Sequence, residues 1–428
     1  MSEASSAHTQ QWLDLGIPGV AEVDTARHIT IYSAPSRSTV PSEVAHDTPL
    51  ESLNLNWRER DLPERIRTKH VHRLHPYLGK FIPQLVEIFL RKYFAPGQTV
   101  LDPFCGSGTT LVQANELGIN SVGYDISAFN VLLASAKLAT YDVPTVTREI
   151  MEVLRRTREA TAKRTRSSLL CDELATELHI EEPVSAYLKT WFAPQALTEL
   201  LAYRHFIDAG DCAYPDLLKV ILSRSARSAR LTTHFDLDFP KRPQTEAYWC
   251  YKHSRMCEPT SGAMKFLERY SLDTAHRVAQ FARLRTEASR VVCHGDSRCA
   301  PIPPVDGVVT SPPYVGLIDY HEQHAYAYHL LGLEDRRELE IGAACNGASV
   351  KAKAAYQDSI AEVFRNAVAS MPSGGRLIVV AGDRANLYGR IAELVDVDVE
   401  AVVKRQVNRR TGRRSTDFFE SVFVWRKR

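Results

Sequence analysis

With 428 residues, 44% apolar and 24% charged, the chain has room for two or three domains and is not wholly disordered. Lys+Arg 53 against Asp+Glu 51 leaves +2, which excludes a uniformly basic nucleic-acid coat and leaves local basic patches open. No apolar run reaches the roughly 18 residues of a membrane span, the opening MSEASSAHTQQWLDLG lacks the features of a secretory signal, and eight cysteines without a CxxC pair suggest neither a disulfide scaffold nor an ordinary zinc finger, so a globular cytoplasmic protein is expected.

Residues 1–55 read as a flexible N-terminal arm, because SAPSRSTVPSE is rich in Ser, Thr and Pro and no apolar periodicity holds. Leu85, Val86, Ile88, Phe89 and Leu90 supply a helical face that Ala95-Pro96-Gly97 ends. Thr99-Val100-Leu101 reads as a buried strand running into DPFCGSGTT. A helix from Leu111 to Leu117 follows, capped by Gly118, and a second strand runs from Ile119 to Asp125. Strand, Gly-rich turn, helix and strand form a βαβ unit and imply a parallel sheet.

The text changes over 140–288. Arg155, Arg156, Arg158, Lys163, Arg164 and Arg166 outnumber Glu152 and Glu159, and helical stretches run through Gln195–Phe206 and Pro215–Leu231. A polar, aromatic segment, PKRPQTEAYWCYKHSRMC, comes next. Nothing there reads as a sheet strand, so a largely helical insertion is expected. Sheet text resumes with Val291-Val292-Cys293 before HGDS, then Gly307 to Thr310 before SPPY, then Arg376 to Val380 after a Gly-Gly turn. Val397–Gln406 and Phe418–Trp425 are expected to pair as an antiparallel hairpin around the basic turn NRRTGRR.

Two loops carry the chemistry. In DPFCGSGTT, Gly106 and Gly108 let the backbone approach a ligand at the start of a helix whose first N–H groups lack partners. Leu111 stands where a plain dinucleotide fingerprint would have its third glycine. Asp125 ends the second strand, where a carboxylate can accept both ribose hydroxyls of an adenosine. In TSPPY (310–314), two prolines fix the backbone and remove two N–H donors. Ser311 and the Pro312 carbonyl can accept from an exocyclic amine, and Tyr314 can stack on a planar ring.

Together these residues resemble the S-adenosylmethionine-dependent DNA amino-methyltransferases, and within them the SPPY group that methylates N4 of cytosine. The resemblance covers about 70–130 and 289–428. It implies an α/β, class I (Rossmann-like) methyltransferase fold, a seven-stranded, mostly parallel sheet with a helical insertion. Residues 56–139 would be a cofactor-binding first part and 289–428 a second part forming the target-base pocket. Residues 140–288 would be a candidate DNA-recognition wall, although in this family that region normally lies next to the catalytic loop.

The resemblance also implies roles. KHVHRLHPYLGKFIPQL places Lys80 and Phe81 over the methionine end of the cofactor. The glycine loop contributes Asp102, Pro103, Phe104, Gly106, Ser107, Gly108 and Thr109. Asp125 and Ile126 would serve the ribose, and Asp296 with Ser297 the adenine. Ser311, Pro312, Pro313 and Tyr314 would be catalytic, GGRLIVVAGD (374–383) would wall the base pocket, and Cys105 would not act as a nucleophile. The partners implied are double-stranded DNA and a cognate restriction endonuclease, with the enzyme a monomer or weak dimer. Adenine N6 is the nearest rival target. RNA guanine N2 and a catalytically silent nucleic-acid-binding scaffold are weaker alternatives.

Further basic residues are candidate DNA contacts. Arg224, Arg227 and Arg230 share a helical face, either a phosphate-binding stripe or a solvated one. Lys252 and His253 lie in the aromatic segment with Tyr248, Trp249, Tyr251 and Arg255, and Arg409, Arg410, Arg413 and Arg414 crowd one turn. Cys250, His253 and Cys257 are three possible metal ligands without an evident fourth, so no metal is expected. Tyr320, His321, His324 and Tyr328 either line the pocket or form the polar face of a helix.

Overall fold

The computed structural model describes residues 22–23, 29–32, 37–162, 184–407 and 418–428. Lys163, Arg164 and Arg166 of the basic stretch, and Arg409, Arg410, Arg413 and Arg414 of the terminal turn, lie outside them. The strands are β1 (Glu22–Val23), β2 (Ile29–Tyr32), β3 (Thr99–Asp102), β4 (Asn120–Asp125), β5 (Tyr248–Cys250), β6 (Arg255–Cys257), β7 (Arg290–His294), β8 (Gly307–Thr310), β9 (Arg376–Ala381), β10 (Val397–Val407) and β11 (Phe418–Lys427). Nine of them form one sheet in the order β1-β2-β10-β11-β9-β8-β3-β4-β7. From β10 to β7 this is the expected seven-stranded sheet. Within it β11 alone runs against its neighbours, and β3, β4, β7, β8 and β9 are mutually parallel. The terminal hairpin forms as expected, from Val397 opposite Lys427 to Val407 opposite Phe418.

Strand periodicity decides which helices cover which face. Val100, Val309, Ile378, Val380, Val422 and Val424 point to one side, under α1 (Pro83–Tyr93). Their neighbours Leu101, Val308, Leu377, Val379, Phe423 and Trp425 point to the other, under α9 (Val350–Ala369) and α10 (Tyr388–Val395). Both faces are buried, as a mostly parallel sheet requires. Full burial of each such side chain is worth about 1.5–3 kcal/mol.

The described part of the N-terminal arm departs from expectation; residues 1–21, 24–28 and 33–36 lie outside the described residues. Ile31 is 3% exposed, and β2 pairs in parallel with β10, Ala401 opposite Ile29 through Lys404 opposite Tyr32. Val44, Leu53 and Leu55 are buried beside α1. Residues 37–55 are therefore packed rather than free. Their apolar residues are too sparse to show a period, yet Val44, Leu53 and Leu55 join the core around α1.

The insertion follows α2 (Thr109–Glu116), β4 and α3 (Ala128–Leu138), and lies between β4 and β7. It is built from α4 (Val143–Ala162), α5 (Pro194–Asp208), α6 (Pro215–Ala229) and α7 (Met264–Ala282), with a short helix Ala186–Trp191. Contrary to expectation it also holds strands, the antiparallel ribbon β5–β6. One continuous apolar core joins α4–α7 to α3 and to α8 (Ala325–Leu331), the helix that follows the TSPPY loop. Arg230 lies over the Tyr326 ring at 4.5 Å, and Tyr187 stacks on His329 at 4.5 Å. The insertion is thus distant from the TSPPY loop in sequence but next to the helix that follows it in space. No helix among the described residues is long and apolar enough to cross a membrane.

Candidate active site

Four strands, β3, β4, β7 and β8, deliver their carboxyl ends to one rim, where open α/β sheets bind ligands. After β3 the chain turns through Gly106 (φ +48°) and Gly108 (φ +75°), both in the left-handed region, and enters α2 at Thr109. A Cβ at Gly106 would lie 3.1 Å from the Tyr77 hydroxyl, and one at Gly79 would lie 2.7 Å from the Tyr320 hydroxyl. The loop is pinned from below: Lys137, fully buried on α3, donates to the Ser107 carbonyl at 2.6 Å. Burial pushes the pKa of that ammonium well down.

Asp102 sits beneath the loop rather than in it. Its Oδ1 accepts from Thr310 Oγ1 at 2.6 Å, tying the end of β3 to the end of β8. Burial raises its pKa to about 6, against hydrogen bonds that lower it. Asp125 accepts from the Gly106 N–H (2.8 Å, Oδ2), and from the Ser127 N–H (2.9 Å) and Asn130 Nδ2 (3.1 Å) at Oδ1. The Gly106 N–H is the one donor on Oδ2 among the described residues, so that oxygen keeps capacity for a ligand hydroxyl. Burial also raises the Asp125 pKa.

These groups open onto a cavity of about 800 Å³, its mouth included. Pro103, Phe104, Gly106, Ser107 and Thr109 line it from the glycine loop, and Asp125 and Ile126 from the end of β4. Asp296 and Ser297 line it from the end of β7, Lys80 and Phe81 from the segment before α1, and Ser311 and Pro313 from the catalytic loop. Asp102, Gly108, Pro312 and Tyr314 are not part of that lining. Ser297 Oγ donates to the Pro103 carbonyl at 2.6 Å. Asp296 makes a two-pronged pair with Arg298, Nε 2.9 Å and Nη2 2.6 Å from Oδ2. Burial alone would raise the pKa of its carboxyl, but the guanidinium holds it low. Lys80 donates to the His72 carbonyl at 2.9 Å, and burial, with Arg73 nearby, lowers its pKa to about 8.

The TSPPY loop divides its polar groups. Pro313 is already engaged, its carbonyl accepting from Tyr356 at 2.8 Å. Tyr314 donates its hydroxyl to Glu420 on β11 at 3.1 Å, and Glu420 is held by Arg405 (Nε, 3.0 Å). Ser311 Oγ is different: it is buried and has no hydrogen-bond partner among the described residues. A buried hydroxyl without a partner costs about 1–3 kcal/mol, which a ligand can return.

Several site residues carry no local motif and escape sequence reasoning. Asn130 and Glu340 line the cavity, and Lys137 props its floor. Of the four residues after the catalytic loop, Tyr320 lines the cavity. His321 is buried against Glu340, His324 is buried with its pKa near 3 through desolvation, and the Tyr328 hydroxyl lies 2.8 Å from Ser127 Oγ.

The arginine stripe is not exposed. Arg224 is 7% exposed and pairs with Asp273 at 2.6 Å, while Arg227 pairs with Asp238. Arg230 donates to the Leu237 carbonyl and is likewise buried. Triplet spacing put them on one face as expected, but that face looks into the insertion. Lys252 and His253 are exposed at the tip of β5–β6, and Arg409, Arg410 and Arg413 lie outside the described residues.

The strand order, the glycine turn after β3, the acid ending β4 and the loop after β8 define a class I, Rossmann-like methyltransferase. A family model described as "DNA methylase" (N6_N4_Mtase) matches residues 36–135. The chain is 36% identical over 430 residues to the type II methyltransferase M.MjaII of Methanocaldococcus jannaschii, covering 85% of this chain and 81% of that protein. It is 22% identical over 319 residues to the type II methyltransferase M.BsoBI of Geobacillus stearothermophilus, covering 67% and 58%. Among solved structures, TrmN from Thermus thermophilus overlaps with a TM-score of 0.31 and 14% identity, over 82% of this chain and 50% of that one. The fold rests on strand order and not on that overlap. The chain belongs to the N6/N4 DNA amino-methyltransferase family, and its cofactor is S-adenosylmethionine. The cavity fits that cofactor: side chains would fill the cradle at Gly79 and Gly106, and Asp125 Oδ2 retains room for a hydroxyl.

Proposed function

We propose that this DNA methyltransferase acts on N4 of a cytosine flipped out of duplex DNA, as the modification half of a restriction–modification system. The observation that carries the reading is Ser311. Its buried, unpartnered hydroxyl lines the cofactor cavity and heads the SPPY sequence, where an acceptor must meet an exocyclic amine.

S-adenosylmethionine supplies an electrophilic methyl group on a sulfonium. Lys80, Asp125 and Asp296 bind and orient it, and Phe104 and Phe81 exclude water. Ser311 Oγ and the Pro312 carbonyl accept the two amine N–H groups, turning the nitrogen lone pair out of the base plane. Attack by the amine on that methyl would release S-adenosylhomocysteine, and the methylated nitrogen would shed its proton to water, because the Ser311 hydroxyl orients the amine and is too weak a base to keep the proton. Positioning dominates such an in-line displacement, and no covalent enzyme adduct is needed. Extruding the base costs a few kcal/mol, and stacking on an aromatic returns about 1–3 kcal/mol. Tyr314, its hydroxyl fixed by Glu420, is the stacking candidate. Lys252, exposed in the turn of the β5–β6 ribbon, is a candidate contact to DNA.

Ser311→Ala tests the assignment. Turnover on duplex DNA should fall on the order of 100-fold while affinity for S-adenosylhomocysteine stays within about twofold. Equal losses in both would remove Ser311 from the chemistry.

A further inference from the structure

The β5–β6 ribbon lacks what normally holds a ribbon together. Each strand has three residues, Trp249, Tyr251 and Met256 are exposed, and Cys250 is the one fully buried side chain of the two strands. A two-stranded ribbon of this kind is marginal in water. Yet one end of it gathers four donor side chains. His234, from the loop after α6, joins Cys250, His253 and Cys257, and one ligand atom from each lies within 4.8 Å of all the others.

The separations match a metal site. Cys250 Sγ lies 3.5 Å from His234 Nδ1 and 3.6 Å from His253 Nδ1, and Cys257 Sγ lies 3.4 Å from His253 Nδ1. Zinc binds Cys sulfur at about 2.3 Å and His nitrogen at about 2.0–2.1 Å, so tetrahedral angles put nitrogen and sulfur about 3.5 Å apart. Pairwise hydrogen bonding accounts less well for the cluster, because His253 Nδ1 has a single proton or lone pair to share between two sulfurs. The two imidazole rings stand at 67° with centroids 4.7 Å apart, so both Nδ1 atoms can face a common point.

We propose that His234, Cys250, His253 and Cys257 form a structural Zn²⁺ site of Cys₂His₂ type, fastening the ribbon to the loop after α6. Binding releases the two thiol protons, and two thiolates with two neutral imidazoles then balance the ion's charge. All four positions are protein ligands, which makes the site closed and structural rather than catalytic. The Tyr248 hydroxyl, 2.8 Å from His234 Nδ1 in this geometry, gives up that contact when the nitrogen binds metal. The clamp would hold Trp249, Tyr251 and Lys252 outward in one orientation.

The test is metal analysis of the full chain purified without chelator. One zinc per chain is expected, and Co²⁺ exchanged into the site should show tetrahedral ligand-field bands with sulfur-to-metal charge transfer. Cys257→Ser and His234→Ala should each lose most of the metal, while Cys299→Ser and Cys345→Ser keep it. The wild type provides a second readout that does not depend on the folding of the ligand variants. Zinc should shield Cys250 and Cys257 from alkylation, and a chelator should expose them. Wild type that neither carries zinc nor takes up Co²⁺ would overturn the proposal. So would a Cys250–Cys257 disulfide without metal, or full zinc content in both ligand variants.

Discussion

Burial removes water from Lys80 and from Ser311, but the two side chains respond differently. Lys80 can shed its charge, and its pKa falls to about 8. Ser311 cannot ionise in this range and keeps an unmet hydrogen bond. The lysine therefore gives the site a pH dependence. In the proposed role, its charged form, present below about pH 8, would attract the carboxylate end of the cofactor, and its neutral form would not. If the bound carboxylate restores an ordinary ammonium pKa, affinity is full well below pH 8 and half lost at pH 8. It then falls roughly tenfold between pH 7 and pH 9. Titration calorimetry with S-adenosylhomocysteine should show that loss, and Lys80→Met should bind weakly with a flat profile. A flat profile in the wild type would detach Lys80 from the cofactor.

At the scale of elements, the N-terminal strand is the sharpest departure from the sequence reading. β2 extends the sheet beyond β10 and covers an edge that would otherwise present unpaired backbone groups. Ile31→Ala should destabilise the protein by about 2 kcal/mol, lowering Tm in calorimetry. An unchanged Tm would mean the strand is not docked in solution. What could be read beforehand follows from sequence distance. DPFCGSGTT, Asp125 and TSPPY are local because each marks a strand end, and β3, β4 and β8 carry contiguous apolar runs. Ile31, Leu53 and Leu55 are buried singly through contacts with distant strands. His234 stands sixteen residues before Cys250, and the two come together only once the ribbon has folded. The arginines of α6 read as a stripe because their partners Asp238 and Asp273 lie elsewhere in the chain.

At the scale of the molecule, the insertion shares one core with α2, α3 and α8, the helices that flank the glycine loop and follow the TSPPY loop. Insertion and cofactor cavity are linked through α3, which packs into that core and whose Lys137 props the glycine loop. A net charge of +2 says little about DNA affinity, which depends on the charges facing the duplex. The central claim concerns which atom receives the methyl group. Nucleoside mass spectrometry of DNA from cells expressing the protein, beside an empty-vector control, tests it most directly. N4-methylcytosine in the expressing cells alone is the predicted result. N6-methyladenine in its place would preserve the fold and the cofactor site but contradict the role given to Ser311.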